Sequence, residues 1–169
     1  QQMNYWFADL CGMPEIVEPF FDVLDSYIEG AKGVAKYNYG MRGMMLSGFT
    51  PYGMTGPKDI WPGQPGRVGW PVGGGWFAQH YWEHYRFTLD EDFLKNRAYP
   101  FIKEAALFHL DYLAEDPKTG NLVSFPDVSP EGPFLKENGE SGVYAVGTTF
   151  TLAVTREVLR PRATRTFKC

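Results

Sequence analysis

Between Tyr39 and Gly75 the chain carries Gly53, Gly56, Pro57, Pro62, Gly63, Pro65, Gly66, Gly69, Pro71 and Gly73 to Gly75, too many breakers for a helix to survive. A connection of roughly 35 residues far exceeds the usual 4 to 6, and such loops serve as lids or binding loops or else are disordered. Trp61, Trp70 and Trp76 favour an ordered loop, because disordered segments are poor in aromatic residues. The regular structure must therefore come from the flanking segments.

On the N-terminal side, Ile16, Val17, Phe20, Phe21, Leu24, Tyr27, Ile28 and Ala31 recur at steps of three and four, which predicts a helix from Pro14 to about Tyr37. Pro14 suits a first turn, and Pro19 allows a kink or a delayed start. Beyond the long connection, helical spacing returns at Trp76, Phe77, His80, Tyr81, His84 and Tyr85, and again from Tyr99 to Leu113. The piece between them, Asp90 to Arg97, opens on three acids and closes on Lys95 and Arg97, the polarity of a short helix of its own. Pro117 to Gly120 reads as a turn. A second long loop, Asn121 to Gly147, leads to a last apolar helix, Thr148 to Leu159. With little alternating pattern to indicate a sheet, the expectation is an all-α chain of about five helices, arranged as a bundle or as part of a helical toroid.

The length of 169 residues fits one domain, residues 1–159, followed by an irregular basic tail, residues 160–169, with Arg160, Arg162, Arg165, Lys168 and no acid. That tail reads either as an anion-binding arm or as a frayed end. A net charge of −4 argues against nucleic acid as the main partner, and the apolar runs are far shorter than the roughly 18 residues of a bilayer span. Cys11 and Cys169 imply no disulfide framework. The excess is aromatic: 10 Tyr, 13 Phe and 5 Trp, which serve either a ring-filled core or a cleft whose faces stack on a sugar.

Three local patterns carry possible chemistry. His80-Tyr81-Trp82-Glu83-His84 fits the His-x-x-Glu-His signature of inverted zinc peptidases, with both imidazoles on one helix face, Glu83 beside them, and Glu140 or Glu157 as a third ligand. Its bland counterpart is a pair of hydrogen-bonded histidines on an aromatic helix. In Val123 to Glu131, the Pro-stiffened loop offers Asp127 and Glu131, where partial desolvation beside Phe125 or Trp would keep one carboxyl protonated as a general acid. Two solvated surface acids are the alternative. Gly73-Gly74-Gly75 lacks the Lys-Ser/Thr of a phosphate loop and reads as a tight turn into a helix.

Met3-Asn4-Tyr5-Trp6, Glu18-Pro19-Phe20-Phe21-Asp22, Tyr39-Gly40-Met41-Arg42-Gly43, Trp70 to Trp76, Gln79 to Tyr85, Asp116 to Gly120 and Ser129-Pro130-Glu131 follow one another in a recognisable order. In that order, over roughly Gln1 to Leu159, the chain resembles glycoside hydrolase family 95, a family of α-L-fucosidases and some α-L-galactosidases. The resemblance implies an (α/α)6 toroid of twelve helices, of which these residues would be an internal fragment, incomplete and inactive alone. It implies inverting hydrolysis of terminal α-L-fucosyl or related linkages in glycans, with Glu131 as general acid and no metal or organic cofactor. Trp70, Trp76, His80, Glu83, His84 and Asp127 would then face substrate, and the His-x-x-Glu-His stretch would bind no catalytic zinc. The water-holding Asn pair would precede Gln1 and the assisting Asp would follow Cys169. An inverting site needs its two carboxyl functions about 6.5 to 9.5 Å apart.

One stretch departs from the resemblance. After Arg42-Gly43, where fucosidase-like members carry a His-rich run, this chain reads Met44-Met45-Leu46-Ser47. The sugar is thereby left open between fucose and another α-L-sugar, and the rival readings are a zinc peptidase and a non-catalytic carbohydrate-binding fragment. Compartment is unmarked in the residues themselves; the resemblance implies a secreted or periplasmic protein.

Overall fold

The computed structural model describes residues 2–47, 70–129 and 133–160. Glu131, Trp61 with the centre of the Gly/Pro-rich connection, and the basic tail beyond Arg160 lie outside the described residues. A 3-10 turn at Pro14–Ile16 leads into helix α1, Glu18–Val34, with Pro19 in the first turn where its missing N–H costs nothing. Phe20, Phe21, Leu24, Tyr27, Ala31 and Val34 form its buried face. The helix widens into a π turn, Ala35–Tyr39, and ends at Gly40, whose φ of 66° is the left-handed value that glycine adopts freely.

Helix α2, Gly73–Thr88, stops at Leu89, which holds φ at 55° and donates its N–H to the Tyr85 carbonyl at 2.7 Å. Asp90 then caps helix α3, Glu91–Phe93, by accepting from the Phe93 N–H at 2.9 Å. The acidic start predicted at Asp90 is thus the real one, but the predicted stop at Arg97 is corrected. The chain runs on through a π turn, Leu94–Ala98, into helix α4, Tyr99–Tyr112. The widened turn comes immediately before Pro100, which lacks an N–H and would crowd the carbonyl four residues back in a tight one. Helix α5, Thr149–Leu159, begins one residue after its cap, Thr148.

The all-α expectation holds for most of the described chain and fails in the second long loop. Leu113 leaves α4 in extended conformation, so Leu113–Glu115 (β1) pairs antiparallel with Leu122–Ser124 (β2) around the predicted Pro117–Gly120 turn. A smaller pair, Phe134–Leu135 (β3) with Ser141–Gly142 (β4), lies further along. Among the described residues no helix is long and apolar enough to cross a membrane.

The core divides in two. One part joins α1 to α2 and to residues 93–105 through Phe21, Leu24, Tyr81, Phe93 and Phe101. The Tyr81 ring stacks on Phe101 at 4.3 Å between centroids, and the Phe21 ring, tilted, lies 4.4 Å from that of Tyr81. The other part joins Val34, Met45, Trp70, Val72, Phe108, Tyr112 and Val154. The edge of the first part is closed by charge: Arg97 reaches Glu18 at 2.7 Å, Asp22 at 2.8 Å and Asp25 at 2.7 Å, and Asp25 also accepts from the Tyr81 hydroxyl at 2.6 Å. Arg97→Met keeps the stem and removes the cation, leaving three facing carboxylates. The expected loss is about 1–2 kcal/mol at low ionic strength, shrinking as salt is added. Denaturation midpoints with and without added salt check both statements.

Candidate functional site

The segment that leads to Ser129-Pro130-Glu131 is held by a buried carboxylate. Asp127 is 0 % exposed, although a Pro-rich loop acid would ordinarily lie in water. Its Oδ2 accepts from the Ser124 hydroxyl at 2.6 Å and from both the N–H and the hydroxyl of Thr148 at 2.8 Å. Its Oδ1 accepts from the Val128 N–H at 2.7 Å and the Thr151 hydroxyl at 2.7 Å. Five donors compensate the lost hydration, which is how a buried acid is tolerated without a cation. The main chain of Asp127 pairs with Ala145 in both directions, at 3.0 and 2.8 Å, and the Tyr112 hydroxyl donates to the Pro126 carbonyl. The solvated-acid alternative for Asp127 is therefore corrected: the side chain is an internal tie.

Beside it lies a ring cluster. Trp70 is 1 % exposed, stacked on Phe150 at 5.0 Å and edge-on to Trp76 at 5.7 Å. The Trp70 indole N–H donates to the Thr151 hydroxyl at 3.2 Å, and that hydroxyl in turn donates to Asp127. A hydroxyl with its lone pair taken by the indole must point its hydrogen elsewhere, and the carboxylate receives it. Trp70 and Asp127 thus belong to one network with their polar atoms engaged. Trp76 is only half-buried.

His80, Glu83 and His84 sit further along α2; His84 lies roughly 12 Å from Trp76 along the axis at 1.5 Å per residue. His80 meets the Phe20 ring edge-on at 5.2 Å, and burial pushes its imidazole down to about 4. His84 places Nδ1 2.8 Å from Asp9 Oδ1 and packs against Phe21 and Phe93. Glu83 turns outward to Arg86 at 2.9 Å. The third-ligand candidates are engaged elsewhere, Glu140 with Lys136 and Glu157 with Arg160. Among the described residues no group of three His, Cys, Asp or Glu side chains is placed to hold a metal ion. The donor set does not fit zinc, and the motif reads as helix packing.

Sequence reasoning missed Ser124, Tyr112, Thr148 and Thr151. Thr148 ahead of an apolar run is a helix-start signal, and Thr148 does cap α5 by accepting from the Thr151 N–H. Nothing local announces that the same two threonines reach back to Asp127. His109 was also missed: it is 1 % exposed, with Nδ1 2.8 Å from the Thr155 hydroxyl and Nε2 without a hydrogen-bond partner. A Cβ on Gly75 would come within 2.4 Å of that Nε2, so the glycine run at the start of α2 is where the helix closes on His109. The tight-turn reading of Gly73-Gly74-Gly75 is corrected: the three glycines are the first residues of α2 itself, and what the run provides is the close approach of Gly75 to His109.

A family model described as the glycosyl hydrolase family 95 catalytic domain matches residues 1–166. The chain belongs to glycosyl hydrolase family 95. Relatives in that direction include alpha-L-fucosidase 2 of Arabidopsis thaliana, 33 % identical over 163 residues, covering 93 % of this chain and 18 % of the relative. A probable alpha-fucosidase A of Aspergillus niger is 30 % identical over 142 residues, covering 79 % of this chain and 17 % of that protein. The chain therefore spans less than one-fifth of the length of these two family 95 relatives. In family 95 terms, the network around Asp127 forms the root of the segment that carries Ser129-Pro130-Glu131.

Proposed function

We propose that these residues form part of the catalytic domain of a glycoside hydrolase that inverts the anomeric centre of terminal α-L-fucosyl or closely related α-L-linked sugars in glycans. The match of residues 1–166 to the family 95 catalytic domain carries this reading. Two relatives named as fucosidases support the sugar class. The helices described above fit as a portion of an (α/α)6 toroid, and Glu131 is assigned as general acid by its place in Ser129-Pro130-Glu131. No metal or organic cofactor is needed for this chemistry, since proton donation to the leaving oxygen and a positioned water suffice. Trp76, half-buried beside Trp70, is assigned to the sugar-facing rings on the resemblance.

Glu131→Gln in the intact protein keeps the shape and removes the proton. With a poor leaving group, kcat is expected to fall by about 10² to 10⁴, whereas a nitrophenyl α-L-fucoside, which needs little protonation, should lose visibly less. Sugar binding should survive. Equal losses on both substrates would overturn the assignment, and sugar binding without turnover in the unaltered protein would favour a carbohydrate-binding role instead.

A further inference from the structure

We propose that Asp127 is a positioning residue of the reaction rather than a substrate contact, an inference that rests on the reading of Glu131 given above. The carboxylate is 0 % exposed and both oxygens are occupied by donors from the protein, so no lone pair is left facing a ligand. What it joins is informative. Ser124 ends β2, Thr148 caps α5, Thr151 lies in the first turn of α5, and Val128 starts the stretch that continues to Ser129-Pro130-Glu131. The main chain of the same residue pairs with Ala145. Side chain and backbone together pin both strands at the root of the excursion from Val128 to Tyr144. Val128 leaves that root under the hold of the Asp127 carboxylate, three residues ahead of Glu131 in the sequence. Misplacement of a catalytic group by about 1 Å can cost on the order of 10²-fold in rate, so such a root matters to chemistry.

The arrangement is specific for a carboxylate. One oxygen faces the Val128 N–H and the other faces the Thr148 N–H, and neither backbone donor can turn into an acceptor. An asparagine has one acceptor oxygen and one NH2, so either orientation sets a donor against a donor. The hydroxyls of Ser124, Thr148 and Thr151 can rotate to adapt, but the two backbone N–H groups cannot. Asp127→Asn therefore releases one side of the root while nearly conserving volume.

The experiment uses the intact protein and compares Asp127→Asn, Thr148→Val and Glu131→Gln on α-L-fucosides with poor and good leaving groups. Asp127→Asn should lower kcat on the poor leaving group by about 10- to 100-fold and on the good one by clearly less, with KM within about threefold. Thr148→Val removes one hydroxyl donor, and with it the α5 cap, but keeps the backbone N–H to Asp127, so it should show the same pattern at about 3- to 10-fold. It also keeps the test open should the asparagine variant not fold. A rise in KM with kcat kept would make Asp127 a substrate contact, and equal kcat losses on both substrates would make it merely structural; each overturns the proposal. Glu131→Gln without leaving-group dependence would sink the functional reading and this inference with it, a failure read on a different variant.

Discussion

Gly43→Ala is expected to destabilise the protein by about 4 kcal/mol or more, at the top of the range for single substitutions. Gly43 has a φ of +72°, and an alanine Cβ there would lie 2.1 Å from the Glu104 carbonyl oxygen and 2.6 Å from the Phe108 nitrogen. Both are backbone atoms of α4, which cannot step aside as a side chain would. The left-handed conformation alone costs an L-residue about 1–2 kcal/mol. Relieving the clash means lifting the segment off α4 and breaking what the close approach permits. The Met44 N–H donates to Glu104 O at 3.1 Å, the Met45 N–H donates to Ala31 O at 3.1 Å, and the Arg42 N–H donates to Asp111 at 2.9 Å. The Arg42 guanidinium reaches the same carboxylate at 2.6 Å and holds it down at about 2. Gly40 supplies the control, because its φ is +66° with nothing within 4 Å of an added Cβ. Gly40→Ala should cost only the conformational part, about 1–2 kcal/mol. Denaturant midpoints of the two variants measure the difference, and equal losses would show that the approach to α4 contributes nothing.

That corner shows what a sequence displays and what it conceals. Arg42-Gly43 is visible as a motif, and the glycine is a plausible turn residue, but its partner, the carbonyl of Glu104, lies some sixty residues away and carries no sequence signature. The long helices were legible because burial repeats every three or four residues, as Phe20, Phe21, Leu24, Tyr27 and Ala31 do. The π turns at Ala35–Tyr39 and Leu94–Ala98 were not, since one extra residue in a turn hardly disturbs such spacing. The hairpin Leu113–Glu115 with Leu122–Ser124 escaped because three residues are too few to show alternation, and Leu113 also fits the helical series before it. At the candidate site, Asp127 was recognisable as a carboxylate held by a stiff loop. Its burial was not, because it depends on Thr148 and Thr151 returning from 21 and 24 residues downstream. The His80-x-x-Glu83-His84 pattern had the opposite defect: its spacing was complete, and the environment supplied by Phe20, Asp9 and Arg86 decides its role.

Acidification from about pH 6.5 to 4 is expected to remove several kcal/mol of stability, through histidines buried in neutral form. His109 is 1 % exposed, and burial pushes its imidazole down to about 4; His80, against Phe20, is pushed down to about 4 for the same reason. An unfolded histidine titrates near 6.5, so between these values the unfolded chain binds protons that the folded chain refuses. Stability is therefore complete above about pH 6.5 and falls as the pH drops toward 4, by up to about 3 kcal/mol for each histidine. Below that window a separate acid limb begins, where Asp111, held at about 2 by Arg42, takes up its proton. The two histidines differ in surroundings. His109 is wedged between Gly75 of α2 and Thr155 of α5, so its protonation strains the contact of three helices, whereas His80 bears on α1 alone among its ring contacts. His109→Gln should consequently lower stability at pH 7 yet flatten its decline between pH 6.5 and 4, and a His80→Gln, His109→Gln double variant should be flatter still. Unfolding free energies at half-unit pH steps supply the slopes. A His109→Gln protein that kept the full wild-type slope would place the responsible proton on another group, and the neutral imidazole at the junction of α2, α4 and α5 would then be a packing element without a titration of its own in this range.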